Sequence, residues 1–355
     1  MTLKRLLKWM MAVCFYYSGF LFLFERFSRY SKNSWWILEY HRVSDAKDDI
    51  FKMVVPTRHF QKQMRYLKKK YNILSLEGAV EKLKVHRSLP PRTLTITFDD
   101  GYQDVYLNAY PVLKQLGISA TIFLVTDYIG TRELLWFDEL LELVKASSVK
   151  QLSIQTELGN EFFNFSHPGS KTEFILRLLD IVKQIKPEEK KKYLLELKNL
   201  LEVKEIKRNE KILLNWQEIE EMGNNGIEIG SHGKTHTILT VLNSAELEAE
   251  CRESKETIER IVKKPVVSFS YPNGRENDFN DYTVTQLYKS GYKAACVNIL
   301  GDNRERIDLF KLKRRGIELE SSRTFFGMYS RALFACEVSG IFDLFFLRKD
   351  REDVC

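Results

Sequence analysis

The chain has 355 residues, 44% hydrophobic and 29% charged, ordinary proportions that exclude both a disordered protein and a multi-span membrane protein. That length can bury one substantial core, and the reading favoured is a single domain of barrel size with additions. The formal net charge of +7 is unevenly placed: Lys4, Arg5, Lys8, Arg26, Arg29 and Lys32 against Glu25 put +5 in the first 34 residues, which points to an anionic membrane surface and away from nucleic acid.

From Trp9 to Phe24 there is no charged residue, and basic residues stand on both sides. Sixteen residues fall short of the ~20 needed to span a bilayer, so a spanning helix, a shallow or re-entrant anchor and a buried terminal helix all stay open. No small-x-small site follows, which argues against a cleaved signal peptide. Residues 1–34 are therefore expected to anchor the protein at a membrane, on a face the sequence does not fix.

Trp35 to Tyr40 reads as a short apolar strand ending at His41, and Phe60 to Tyr71 has helical spacing. Further strand-like runs follow at Leu94 to Phe98, Ala120 to Val125, Ile227 to Ile229, Val266 to Ser270, Ala294 to Val297 and Phe310 to Lys313. With helices between several of them, the pattern predicts a parallel α/β barrel or layered sheet over residues 35–320. Residues 142–213 break the pattern and read as an insertion: a hairpin around Gly159-Asn160, then two charged helices, the second opened by Pro187. Lys190-Lys191-Lys192 is taken as a solvated helix face. Over 321–355, Phe326, Tyr329, Leu333, Val338, Ile341, Phe342 and Phe345 predict an amphipathic helix that packs on the barrel rather than on lipid. Cys14, Cys251, Cys296, Cys336 and Cys355 form no paired motif and are read as buried thiols, not disulfides.

The chemistry gathers after strands. Thr93 to Phe98 alternates small polar and apolar residues, then stops at Asp99-Asp100-Gly101, where a glycine lets the backbone turn and leaves two carboxylates at the strand's carboxyl end. Downstream, His232 and His236 lie four residues apart, close enough on one helical turn or tight loop to reach one ion. Two imidazoles and one carboxylate form a facial ligand set suited to zinc or a related divalent ion, and the second carboxylate is free to act as a base. Which aspartate does which, residue chemistry alone leaves open.

With Thr97-Phe98-Asp99-Asp100-Gly101, His232 with His236, and Phe269-Ser270-Tyr271-Pro272-Asn273-Gly274, the chain resembles the polysaccharide deacetylases, NodB-like carbohydrate esterases, from about Trp36 to Glu318. The resemblance implies a distorted (β/α) barrel, with Asp99 as catalytic base, Asp100, His232 and His236 as metal ligands, and the backbone of Tyr271 as an oxyanion donor beside Pro272. Two departures stand out. Gly233 replaces the usual hydroxyl residue, and Leu312-Lys313-Arg314 stands where the family's late Leu-x-His supplies the general acid. Tyr40-His41 matches the N-terminal Tyr-His element of a permuted branch acting on biofilm β-1,6-glucosamine polymers, which makes His41 the expected acid, set opposite Asp99. The third motif's arginine is also missing, and Arg314 or Arg275 is expected to orient Asp99.

The favoured reading is a metal-dependent enzyme, most simply a zinc enzyme, that removes N-acetyl groups from a hexosamine-containing polysaccharide or lipid-linked glycan beside exopolysaccharide assembly proteins. A catalytically silent glycan-binding protein of such an assembly, and an amide hydrolase with a non-sugar substrate, are the alternatives.

Overall fold

The computed structural model describes residues 3–28, 34–46, 48–86, 88–156, 159–167, 169–206, 212–304 and 306–346. Its strands are β1 (Trp36–Tyr40), β2 (Arg42–Val43), β3 (Val54–Val55), β4 (Asn72–Ile73), β5 (Thr93–Phe98), β6 (Thr121–Leu124), β7 (Gln151–Thr156), β8 (Gly159–Asn164), β9 (Glu228–Ser231), β10 (Ser268–Ser270), β11 (Ala294–Leu300) and β12 (Leu312–Gly316). Seven of them, β1, β5, β6, β9, β10, β11 and β12, pair in parallel around a closed ring, because β1 bonds β5 on one edge and β12 on the other. Strand β4 borders β5 at Thr93 and Leu94, while β6 borders it only from Thr97 onward.

The strands read as continuous apolar runs because both of their faces are covered. All five residues of β1 and all six of β5 are buried. Alternation sorts them between two packed regions. Trp36, Leu38 and Tyr40 join the large outer core, whereas Trp35 and Ile37 pack with Phe123, Cys296 and Leu312 from around the ring, which defines the barrel interior. Leu76, Ala79 and Val80 of the helix Leu76–His86 complete that interior cluster. Higher in the barrel the lining turns polar: Trp35 donates to Thr95 Oγ1 at 3.0 Å, and Thr97, Glu39 and Arg314 follow. The charged layer lies at the carboxyl ends of the strands, where barrel enzymes hold their chemistry.

In the inserted region, β7 and β8 form an antiparallel hairpin in which Thr156 pairs with Gly159. Gly159 and Asn160 thus open the second strand, and positions 157–158 between them lie outside the described residues. Helices Ser170–Val182 and Pro187–Leu200 follow. Lys191 and Lys192 are exposed, as a solvated face requires, but Lys190 departs from it: it is 4% exposed, its ammonium sits 4.5 Å above the Trp136 ring, and burial pushes its pKa down to about 8.

The helix near the carboxyl end spans only Arg331–Ser339, and every residue after Arg331 is buried, so it is enclosed rather than one-faced. What encloses it includes the helix Leu3–Tyr17, with Lys8 donating to Glu337 at 2.6 Å. No single helix among the described residues is long and apolar enough to cross a membrane. Cys14 is exposed, contrary to the buried-thiol reading, while Cys251, Cys296 and Cys336 are buried. Cys355 lies outside the described residues.

Candidate active site

The turn after β5 is tightly determined. Asp100 and Gly101 both hold positive φ, 72° and 79°. Aspartate tolerates that left-handed region better than most residues, and a Cβ at Gly101 would come within 3.0 Å of Leu124 and 3.1 Å of Ile129. The reversal separates the two carboxylates, sending Asp99 toward Arg314 and Asp100 toward the histidines.

Asp100 Oδ1 lies 3.5 Å from His232 Nε2 and 3.4 Å from His236 Nε2. It is buried and carries no hydrogen bond. Leaving such an oxygen unsatisfied costs free energy, and a cation between the three side chains would remove that cost. The donor atoms all fall within 4.8 Å of one another. His232 Nδ1 donates to the Ser270 carbonyl at 2.7 Å, which fixes the tautomer and leaves the Nε2 lone pair turned to the site. Burial pushes its pKa down to about 4, so the ring is neutral near pH 7. The residues present therefore fit a divalent ion. His236 arrives on a loop, in the left-handed region at φ 56°, not on a helical turn.

Beside this set lies a second cluster, Glu39, His41 and Asp99, whose donor atoms also come within 4.8 Å of one another. Arg314 governs it. Its guanidinium grips Asp99 with two bonds, 2.7 Å to Oδ1 and 2.8 Å to Oδ2, and reaches Glu39 Oε1 at 2.9 Å. Ser270 Oγ donates to Asp99 Oδ2 at 3.0 Å. Burial opposes ionisation of Asp99, yet Arg314 and then His232 hold its carboxyl well below the usual carboxylate range. For Glu39 the balance reverses: burial raises it and Arg314 offsets this only in part. His41 Nε2 is 3.8 Å from Glu39 Oε1, and the ring stands close beside Asp99, where the sequence reading set it opposite.

Arg314, not Arg275, orients Asp99. Its remaining hydrogen bonds are to the Ser270 hydroxyl at 3.0 Å, the Val297 carbonyl and the Thr97 hydroxyl, so its donors are spent on buried protein acceptors around Asp99 and not on an oxyanion. Tyr271 also differs from expectation. Its backbone N–H continues the sheet by donating to the Cys296 carbonyl at 3.1 Å, its ring is 1% exposed and stacks on Phe279, and its hydroxyl donates to the Phe310 carbonyl. Tyr271 is thus a packed wall, and Pro272 beside it lines the cleft. The opposite wall includes Leu179, Asp180 and Lys183 from the insertion.

Three residues that sequence reasoning passed over complete the site. Glu39 could have been found as a lone charge in an apolar strand, two residues before His41. Ser270 stands within the third motif, but its residue type alone does not point to Asp99. Glu250 lies on the helix Ser244–Val262, far from any motif. It is 5% exposed, and its Oε1 accepts the backbone N–H groups of Lys234 at 2.7 Å and Thr235 at 2.8 Å. A Cβ at Gly233 would meet that same oxygen at 2.6 Å. The missing hydroxyl residue of the histidine loop is thus replaced by a buried carboxylate from a neighbouring helix. Trp136 holds the loop's other end, donating to the His236 carbonyl at 3.3 Å.

The sequence profile of the family described as polysaccharide deacetylase matches residues 86–295, more than half of the chain. The chain belongs to the polysaccharide deacetylase family. Among relatives, Bacillus subtilis YxkH is 23% identical over 298 residues, 84% of this chain and 76% of its own. A Staphylococcus epidermidis protein named poly-beta-1,6-N-acetyl-D-glucosamine N-deacetylase is 32% identical over 228 residues, 57% of this chain and 73% of its own. The solved structure of IcaB from Ammonifex degensii superposes with a TM-score of 0.55 at 16% identity, covering 86% of this chain and 97% of that one, a likeness of fold. Polysaccharide deacetylases generally work with a metal, and this chain is an enzyme of that family with a donor set for one.

Proposed function

We propose that this polysaccharide deacetylase removes N-acetyl groups, with a divalent ion, from a hexosamine-containing bacterial polysaccharide or lipid-linked glycan, using the permuted motif order in which His41 supplies the acid. The observation that carries the reading is that the cluster Asp100, His232 and His236 and the cluster Glu39, His41 and Asp99 face one cleft. The name of the S. epidermidis relative supports an N-acetylglucosamine polymer as substrate. Residues 35–320 form the proposed catalytic unit, with 142–213 inserted.

An ion held by Asp100, His232 and His236, zinc being the one this donor set suits best, would lower the pKa of a bound water toward ~7 and polarise the acetyl carbonyl. Asp99, kept ionised by Arg314, takes the proton of the attacking water. Arg314 and Ser270 fix its carboxylate throughout, so the base does not rotate away from the cleft. His41 gives a proton to the leaving nitrogen, and Glu39 stabilises the ring while it carries that charge. Burial of Glu39, Asp99 and Arg314 keeps the charge-sensitive steps out of bulk water.

The test is acetate release from N-acetylated oligo- and polysaccharides by purified, metal-analysed protein, with His41→Ala alongside. Wild type should release acetate, and the variant should retain its metal while losing turnover by roughly 10²-fold or more. A variant with undiminished turnover removes His41 from the mechanism. A metal-loaded wild type that releases acetate from no glycan supports the silent-binder alternative.

A further inference from the structure

The two amino-terminal helices, Leu3–Tyr17 and Phe20–Phe27, meet at 75°. Gly19 makes the bend, with φ 79° and its carbonyl accepting the Leu23 N–H. At about 1.5 Å per residue the pair measures roughly 22 Å and 12 Å, and neither reaches the ~30 Å of a hydrocarbon core. Straightening them on the docked first helix would strip Leu21 and Glu25 from the burial they now have, and lifting the first helix away as well would expose Ala12 and break the bond from Lys8 to Glu337. The segment is built to lie against the protein.

Its other side is open and apolar. Leu3, Leu7, Met10, Cys14 and Tyr17 recur at helical spacing along one face of the first helix, and Leu3, Met10 and Tyr17 are 72%, 54% and 76% exposed. On the second helix Phe22, Leu23 and Phe27 are 58%, 51% and 71% exposed. Residues from the other end of the chain extend the surface: exposed Phe326 meets Trp9 edge-on at 5.8 Å, and exposed Phe345 lies 5.5 Å from Phe15. Soluble monomers rarely leave so much contiguous apolar area uncovered.

Charge identifies the occupant. The two helices carry Lys4, Arg5, Lys8 and Arg26 against a single acid of their own, Glu25; of the cations, Arg5 pairs with Glu320 and Lys8 with Glu337. That acid is the buried one, at 5% exposure, while Lys4 and Arg26 are exposed beside the apolar stripes. The exposed residues of the two helices therefore combine aliphatic and aromatic groups with cations and include no carboxylate, the composition of an element lying in the plane of an anionic lipid surface. We infer that the bent amino-terminal helix pair, with Phe326 and Phe345, seats the enzyme on one leaflet of an anionic phospholipid bilayer without crossing it.

The experiment uses the full chain with Cys355→Ser and an environment-sensitive fluorophore on Cys14, since the three other cysteines are buried. Vesicles of phosphatidylcholine with or without 30% phosphatidylglycerol are added. The expected result is a blue shift and co-sedimentation with the anionic vesicles, binding that falls with salt, and quenching by shallow rather than bilayer-centre quenchers. Phe22→Ser with Leu23→Ser should weaken binding at least tenfold while leaving thermal unfolding and acetate release unchanged. Lys4→Glu with Arg26→Glu should remove the preference for phosphatidylglycerol. Quenching from the bilayer centre would make the segment a span and overturn the inference. Binding unaffected by the Phe22 and Leu23 changes would overturn it equally. So would a lipid-free dimer abolished by those changes, which would assign the face to a second copy.

Discussion

Replacing Glu250 by alanine should weaken metal binding by roughly 10–100-fold although the residue touches no metal ligand. The carboxylate is the acceptor for two backbone N–H groups, those of Lys234 and Thr235, inside the loop that carries His232 and His236. Each buried N–H left without an acceptor costs about 1–3 kcal/mol. If half of that total reaches the ligand geometry, the loss is about 1–3 kcal/mol, which converts to the tenfold to hundredfold range typical of supporting groups behind metal ligands. Competition against a chelator reads it directly, with thermal unfolding of the metal-free protein as a separate measure of stability. Glu250→Gln keeps the acceptor oxygen and should hold metal within a few-fold of wild type. Gly233→Ser alone should be damaging, since its Cβ would meet Glu250 Oε1 at 2.6 Å, but in the Glu250→Ala background the space is vacant and the hydroxyl can serve the loop. Recovery will be partial, because φ of +80° strains any residue with a side chain. An alanine variant that loses stability yet binds metal as tightly as wild type would refute the reasoning.

Asp99→Asn should keep its metal and lose turnover by about 10²-fold or more, measured as acetate release at saturating substrate, because the amide cannot accept the water's proton. Arg314→Met leaves Asp99 and Glu39 buried without their counter-charge and should cost about 3–5 kcal/mol in chemical denaturation, far more than Arg275→Met. Asp138, buried and accepting the Tyr102 hydroxyl at 2.8 Å, is raised by burial to about 7. Its folded pKa lies above its unfolded value of ~3.9, so its stabilising contribution is complete below that value and is lost as pH rises toward 7. Asp138→Asn should therefore gain unfolding free energy over wild type as pH rises from 5 to 8, on the order of 2–4 kcal/mol by chemical denaturation, and a constant difference across that range would contradict the assignment.

The barrel strands were legible because burial on both faces leaves continuous apolar runs. The alternation of β5 marked it as a strand although neither face meets solvent: Thr93, Thr95 and Thr97 are all buried, with hydroxyls satisfied by Pro90, Trp35 and Leu38. Asp99, Asp100, His232 and His236 were legible for a different reason: each pair is local, so spacing alone brings it to one turn or loop. Arg314 was only one of two candidates and Glu39 was missed, since what unites them with Asp99 is closure of the ring between β1, β5 and β12. Glu250 was hidden more deeply, because its role exists only against a glycine on another element. The backbone of Tyr271 was misread since one further ladder bond past the end of β10 consumes the N–H that the motif offered.

Closure of the ring also bears on the order in which a ribosome delivers the parts. Asp100, His232 and His236 have all been synthesised before β11 and β12 emerge, whereas the Arg314 that neutralises Asp99 comes from the last barrel strand. A nascent chain thus holds all three candidate metal donors while Asp99 still lacks its partner, and Asp99 and Glu39 would then repel each other inside an open sheet. Until Arg314 docks, water must remain between those carboxylates, and the barrel cannot seal. Its final strand is accordingly the closing stave, and because Arg314 must bridge more than half of the chain to reach Glu39 and Asp99, the carboxylate cluster is completed only when the ring itself closes.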